Sequence, residues 1–138
     1  MPSILIVEDH DYMALVLTRL LHRKGRMDVA GVAHSAEEAL ELLPATVDLV
    51  LVDISLPEMN GIDLVVEIKK KYPDLPCLML SGHHALHYVK QSLAVGANGY
   101  VSKQNTEAII EGIQHVLQGE TYLSQEVKSL YEDDYSSK

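Results

Sequence analysis

Polar side chains that could bind a cation or a phosphoryl group stand where apolar runs of this chain end. The run ILIV is followed directly by Glu8 and Asp9, and the run DLVLV is followed by Asp53. Two later runs, CLML and GYV, lead to Ser81 and Lys103. Because neighbouring carboxylates disfavour each other's ionised form, acids placed in this way indicate either strand ends exposed to water or a cation site.

The residue types at these positions favour magnesium and phosphoryl chemistry. Glu8, Asp9 and Asp53 offer hard oxygen ligands, too few for a closed calcium site but suited to Mg²⁺ with water and phosphate oxygens. The ion would also stabilise all three carboxylates in their ionised form. A carboxylate can itself attack a phosphoryl group and form an aspartyl phosphate. Ser81 could then donate a hydrogen bond to one phosphoryl oxygen, and Lys103 could pair with another.

Five short apolar runs separated by helical patterns must position these side chains. The runs are ILIV (4–7), MDVAGVA (27–33), DLVLV (48–52), CLML (77–80) and GYV (99–101). Apolar residues recur at helical spacing between them, and Ser35 with Glu38 fits a capping box that opens a helix. Strict alternation of strands and helices predicts an α/β fold with a doubly wound parallel sheet and helices on both faces. Ligands of such sheets bind at the carboxyl ends of the strands.

Composition argues against a DNA-binding, a disulfide-bonded or a membrane-spanning protein. The chain has 138 residues, which suits one domain, and a formal net charge of −9. That charge repels phosphate backbones, so the chain alone is expected not to bind DNA. Cys77 is the one cysteine, which excludes an internal disulfide. No apolar run approaches the ~20 residues that span a membrane, and the N-terminus lacks a signal-peptide pattern, so we expect a cytoplasmic protein.

Four stretches in order over residues 2–122, IVED, LVLVDISLPEMNG, LSG and GANGYVSK, resemble the receiver domain of bacterial two-component response regulators. The stretches YPDLPCLMLSGHH, GANGYVSK and GETYLS are most similar to the NarL/FixJ (LuxR-type) subfamily. The resemblance implies a flavodoxin-like, five-stranded sheet of order 2-1-3-4-5. It also implies a receiver domain over 1–122. Residues 123–138 would form a tail or the start of a linker, with a short helix through Val127 and a disordered polar end.

The resemblance assigns a role to each polar strand-end residue and to two further positions. Asp53 would be the phosphoacceptor, and Ser81 and Lys103 would be the phosphate-sensing pair. Glu8, Asp9 and Asp53 would be the metal-site acids, and the Ser55 carbonyl would be a further metal ligand. Tyr100 would act with Ser81 as the switch.

The resemblance also implies partners. A sensor histidine kinase would donate the phosphoryl group. Phosphorylation would promote a homodimer through the face that includes Val89, Leu93 and Tyr100. Transcriptional output would pass through a helix-turn-helix domain that this chain does not contain. The chain would be no enzyme beyond promoting its own phosphorylation and dephosphorylation.

Several alternatives remain open. A stand-alone receiver would act through protein contacts alone. A phosphatase with an aspartyl nucleophile commonly has an acid two residues later, where this chain has Ser55. A flavodoxin-like mononucleotide binder would need glycines or hydroxyls after the first strand, where this chain has acids. A metal cluster of His83, His84 and His87 is disfavoured, since neither a cysteine nor an acid stands at ligand spacing.

Overall fold

The strands that end in the polar side chains lie inside one parallel sheet. A computed structural model describes residues 1–43, 46–82 and 86–136. Its sheet has the order β2-β1-β3-β4-β5-β6. The strands are β1 (Ser3–Val7), β2 (Asp28–Ala33), β3 (Leu49–Asp53), β4 (Cys77–Ser81), β5 (Gly99–Ser102) and β6 (Tyr122–Leu123). The predicted order of the first five strands is confirmed, but the predicted count of five is too low, since the part of the chain that the structure describes forms six strands.

Within the described residues, six α-helices cover the two faces of the sheet. They are α1 (Asp11–Leu20), α2 (Ala36–Leu42), α3 (Gly61–Lys71), α4 (Leu86–Ala94), α5 (Thr106–Leu117) and α6 (Gln125–Ser136), and a π-helical turn over Leu21–Gly25 extends α1. Buried residues of α2, α3, α4 and α6 form one apolar cluster with one face of the strands. Buried residues of α1 and α5 form the other cluster on the opposite face. The doubly wound architecture is therefore confirmed.

The central strands are apolar throughout because both of their faces are covered. All five residues of β3 and all five of β4 are buried. Strands buried on both faces lack the alternation of apolar and polar residues seen in half-exposed sheets. The capping prediction for α2 is also confirmed, since the Glu38 amide donates to Ser35 Oγ over 3.1 Å. Among the described residues, no helix has the length and apolar character needed to cross a lipid bilayer.

The C-terminal segment is more ordered than the sequence suggested. Strand β6 pairs in parallel with β5, and the helix predicted around Val127 continues to Ser136. The helix thus includes most of the polar end for which disorder was predicted, so that prediction was wrong over 132–136. Val127 is buried in the same apolar cluster as α4. A two-residue strand between polar residues is too short to give a periodic signal, which explains why the sequence did not reveal β6.

The face predicted for dimerisation is occupied by this same segment. Val89 of α4 and Tyr100 of β5 have no exposed surface, and both belong to the cluster that contains Val127. Leu93 packs against that cluster as well. In this structure α6 therefore covers the surface to which the sequence assigned a partner copy, and the predicted face is corrected on that ground.

Candidate functional site

The predicted site residues meet at the carboxyl edge of the sheet. Glu8 follows β1 directly, Asp53 and Ser81 are the last residues of β3 and β4, and Lys103 follows β5. Parallel pairing of β1 with β3, and of β3 with β4, aligns these ends. Glu8 and Asp53 are buried there, with 0% and 1% of their side chains exposed. Buried carboxylates require a charge partner, which makes their surroundings informative.

Lys103 is the cation that faces both buried acids. Its Nζ lies 2.7 Å from Glu8 Oε1 and 3.1 Å from Asp53 Oδ2, and its side chain is 13% exposed. The Ser55 amide donates to Asp53 Oδ1 over 3.0 Å. The Lys103 ammonium and the Ser55 amide therefore both stabilise negative charge on the buried acids.

The surroundings of Asp53 disfavour the ionised form of its carboxyl group. Burial and the neighbouring Glu8 raise the pKa of Asp53, against the smaller opposing effects of the Ser55 amide and of Lys103. The pKa of Lys103 is also raised, because its contacts with Glu8 and Asp53 outweigh the opposing effect of burial. The site thus holds more negative charge than its own cation balances.

Three carboxylate oxygens form a group that could bind a cation. Glu8 Oε1, Asp9 Oδ1 and Asp53 Oδ2 are buried and accept no hydrogen bond from the described residues. Two of them face the Lys103 ammonium as ion pairs, and Asp9 Oδ1 lies 3.2 Å from His10 Nδ1, which neutralises only part of their charge. Ligand atoms of Glu8, Asp9 and Asp53 lie within 4.8 Å of one another. Hard oxygen donors with unsatisfied lone pairs suit Mg²⁺, so the residues present fit the predicted ion.

The loop after β3 is shaped by close backbone contact at Gly61. The Gly61 amide donates to the Ile54 carbonyl over 3.1 Å, which closes the loop that contains Ser55. A Cβ at Gly61 would lie 2.5 Å from the carbonyl oxygen of Asp53, so any other residue would displace the Asp53 backbone. The loop places Ser55 beside Asp53, and the metal-ligand role of the Ser55 carbonyl stays a prediction.

Ser81 and Tyr100 are in direct contact. Both side chains are buried, Ser81 at 2% and Tyr100 at 0% exposure. Burial raises the pKa of Tyr100, while its hydrogen bond with Ser81 acts in the opposite direction. The Tyr100 carbonyl accepts a hydrogen bond from the Ser124 amide over 3.1 Å, one residue before α6 begins. The predicted switch pair therefore lies between the acidic site and the C-terminal helix.

A cavity of about 300 Å³ opens beside Ser81. Its walls come from the loop after β3, the start of α3, the end of β4 and α4. It is lined by Ile54, Ser55, Asn60, Ile62, Ser81 and Tyr88.

Sequence reasoning missed one residue of this site, His10. Its Nδ1 lies 3.2 Å from Glu8 Oε2 and 3.2 Å from Asp9 Oδ1. The hydrogen bond with Glu8 and the charge of Asp9 raise the pKa of His10. The available signal was its place in the sequence, directly after the two acids. His83 and His84, by contrast, lie outside the described residues, and His87 is exposed and packs on the Tyr88 ring with centroids 4.1 Å apart.

Comparison with known proteins agrees with this architecture. Residues 4–116 match the response regulator receiver domain family. The chain belongs to this family. It is 32% identical over 127 residues to the transcriptional regulatory protein DegU of Brevibacillus brevis, covering 91% of this chain and 54% of DegU. It is 35% identical over 104 residues to the DNA-binding transcriptional activator DevR/DosR of Mycobacterium tuberculosis, covering 75% of this chain and 48% of that protein.

Solved structures show the same fold. A LuxR family response regulator from Aurantimonas superposes with a TM-score of 0.92 at 24% identity, and 97% of each chain is covered. A CheY-like receiver domain protein from Methanospirillum hungatei superposes with a TM-score of 0.78 at 30% identity, covering 86% of this chain and 95% of the other. The chain spans about half the length of the curated relatives named above.

Proposed function

We propose that this receiver domain accepts a phosphoryl group on Asp53 from the phosphohistidine of a sensor kinase, with Mg²⁺ bound beside it. The observation that carries the proposal is the cluster of buried carboxylate oxygens whose negative charge Lys103 neutralises only in part. Such a cluster is a poor structural element on its own, because it places like charges in a medium that solvates them weakly. It becomes favourable when a divalent ion and a phosphoryl group are present.

Each residue has a defined part in the proposed transfer. A carboxylate oxygen of Asp53 attacks phosphorus while the P–N bond breaks, and the departing imidazole keeps the bonding electron pair and takes a proton. Lys103 then pairs with one phosphoryl oxygen and the Ser81 hydroxyl donates to another. Mg²⁺ held by Glu8, Asp9, Asp53 and the Ser55 carbonyl would neutralise charge on the phosphoryl group and the acids.

Phosphorylation would be transmitted through Ser81 and Tyr100. If the Ser81 hydroxyl turns to the phosphoryl group, Tyr100 loses a hydrogen-bond partner inside the core. Tyr100 belongs to the same apolar cluster as Val127, and its carbonyl accepts from Ser124, so the start of α6 responds directly. New charge that reorganises hydrogen bonds in this way is a common basis of phosphorylation switches.

The output we propose is control of transcription through a DNA-binding domain outside this chain. DegU and DevR/DosR are described as a transcriptional regulatory protein and a transcriptional activator, and this chain matches about half of each. A solved structure similar in fold contains two RcsB dimers bound to two parallel DNAs. We therefore retain a homodimer formed on phosphorylation as part of the proposal, through a face that α6 does not cover. The net charge of −9 argues against DNA binding by this chain alone.

Intact-mass measurement after incubation with acetyl phosphate tests the phosphoacceptor. We expect one added phosphoryl group that requires Mg²⁺ and is absent in Asp53→Asn. The matched control is Asp28→Asn, which makes the same chemical change at an exposed residue at the start of β2. Phosphoryl transfer to Asp53→Asn, or transfer to wild type in the absence of divalent ions at the same rate, would contradict the proposal. Repeated turnover of a generic phosphomonoester would favour the phosphatase alternative instead.

A further inference from the structure

We propose that His10 is a ligand of the divalent-ion site and makes that site favour ions that bind imidazole over Mg²⁺. The inference rests on the metal site of the proposed function and adds a nitrogen donor to its oxygen set. The ion that we expect the site to favour is a first-row divalent ion such as Co²⁺, Ni²⁺ or Zn²⁺. These ions accept imidazole readily, whereas Mg²⁺ prefers carboxylate and water.

The position of the His10 ring carries the inference. Nδ1 lies 3.2 Å from one oxygen of Glu8 and 3.2 Å from one oxygen of Asp9. The His10 amide also contacts Glu8 Oε2 at 3.3 Å, so the backbone as well as the ring is held at the acids. His10 is the N-cap residue of α1 in an extended conformation, and its side chain makes no capping hydrogen bond to the helix.

The spread of the donor atoms is compatible with one ion. Single ligand atoms of Glu8, Asp9, His10 and Asp53 all lie within 4.8 Å of one another. Because metal–ligand bonds to nitrogen and oxygen are about 2.0–2.2 Å long, two ligands on opposite sides of an ion lie about 4.0–4.4 Å apart. Small side-chain adjustments therefore bring all four atoms to one ion.

The buried carboxylates give independent support for an ion at this position. Glu8 and Asp53 are almost fully buried, and one oxygen of each faces the same Lys103 ammonium, so a single positive charge is shared between two buried acids. His10 itself is 69% exposed, so its ring has access to water and to incoming ions. The site thus has a buried anionic side formed by the acids and an exposed side formed by the imidazole.

A positioning role for His10 is the competing explanation, and two substitutions separate it from ligation. A ring that only donates hydrogen bonds to Glu8 and Asp9 would support every divalent ion equally. His10→Ala removes both the donor and the ligand. His10→Asn keeps an amide N–H near the position of Nδ1 and so retains donation, but it replaces the imidazole nitrogen with a hard carbonyl oxygen that gives no preference for Co²⁺ over Mg²⁺. His34→Ala is the matched control, because His34 is half-exposed and contacts Asp11 and Glu38 outside the cluster.

The experiment is calorimetric titration of the unphosphorylated chain with Co²⁺ and, separately, with Mg²⁺. Even residues that only orient metal ligands change metal affinity by about 10–100-fold, so we expect His10→Ala and His10→Asn to weaken Co²⁺ binding by at least about tenfold. Mg²⁺ affinity should change by less than about twofold, since Mg²⁺ gains little from imidazole. His34→Ala should leave both affinities unchanged.

The visible absorption of bound Co²⁺ gives a second readout. The wild-type spectrum should change on replacement of His10, and excess Mg²⁺ should abolish it, which assigns the signal to the shared site rather than to another histidine. Equal loss of Co²⁺ and Mg²⁺ affinity in His10→Ala with recovery in His10→Asn would overturn the proposal in favour of positioning. Unchanged affinities would overturn it as well. If wild type binds no Mg²⁺ and accepts no phosphoryl group, the proposed function itself fails, which is a different result.

Discussion

The carboxyl edge of the sheet and the C-terminal β6–α6 unit are both packed against the same strands, but they satisfy opposite physical requirements. At the edge, Glu8 and Asp53 bury like charges around one ammonium group. In the C-terminal unit, Val127 lies fully buried in an apolar cluster. The first region costs stability until a ligand arrives, and the second supplies stability without one. A switch needs both, because strain at a binding site persists only where the surrounding structure holds it in place.

The apolar region should show the largest effect of a single change. Val127→Asp places an uncompensated carboxylate where no exposed surface remains, and we expect a loss on the order of 3–5 kcal/mol in the free energy of unfolding. Urea denaturation followed by circular dichroism measures it. Gln125→Asp is the matched control, because it adds the same charge at an exposed position in the first turn of α6.

The control Gln125→Asp should not lower the free energy of unfolding. An acid in the first turn of a helix interacts favourably with the helix dipole, so Gln125→Asp should be neutral or slightly stabilising. If Val127→Asp behaved like Gln125→Asp, α6 would not be packed on α4 and β5. The face that includes Val89 would then be open to a second copy of the chain.

The polar region should respond in the opposite direction. Without divalent ions, Asp53→Asn removes one of two buried like charges and leaves Lys103 paired with Glu8. We expect unfolding to cost on the order of 1 kcal/mol more than in wild type, as found where a binding site trades stability for function. Asp28→Asn changes the net charge equally at an exposed site and should have no such effect.

Mg²⁺ should reverse the order of stability of wild type and Asp53→Asn. An ion that binds only the folded state stabilises it more the more tightly it binds, so Mg²⁺ should raise the unfolding free energy of wild type more than that of Asp53→Asn. Thermal or urea denaturation with and without Mg²⁺ measures the difference. A destabilised Asp53→Asn in the absence of ions would mean that Lys103 over-compensates the two acids, contrary to the raised pKa of Asp53.

The same contrast explains what the sequence could predict. Buried strands such as ILIV and CLML are continuous apolar runs, and parallel topology brings their ends together, so Glu8, Asp53, Ser81 and Lys103 were placed correctly from their positions alone. The sequence could not show that Lys103 contacts both acids, because that depends on side-chain conformations across three strands. It also gave no sign that Tyr100 faces inward to Ser81.

The C-terminal unit was harder to predict because its signals are tertiary. Strand β6 has two residues and exists through pairing with β5. Helix α6 has a polar second half, and its first half is stabilised where Val127 enters the core. Local composition alone favoured disorder for that polar half, and packing of the first half outweighed it. His10 was missed for a different reason, since a histidine beside acids is a common surface arrangement.

The smallest expected effect is at Tyr122, where strand β6 of the C-terminal unit contacts the charged Glu111. The Tyr122 hydroxyl donates a hydrogen bond to Glu111 Oε2 over 3.1 Å. Burial and this contact with Glu111 raise the pKa of Tyr122 from 10.0 to about 12. The neutral phenol is therefore favoured in the folded state. As the pH rises from 10 toward 12, the unfolded chain loses this proton first, so the contribution of Tyr122 to stability falls across that window.

The measurement is an alkaline titration of phenolate absorbance for wild type and Tyr122→Phe. The difference between the two curves isolates one of the seven tyrosines, and its midpoint should lie near 12 rather than 10. Glu111→Gln should move that midpoint downward, because the negative acceptor is removed while burial remains. A difference curve with its midpoint at the ordinary tyrosine value would show that β6 leaves the ring in water. In that case the contrast between a strained polar edge and a well-packed C-terminal unit would not extend to the last strand.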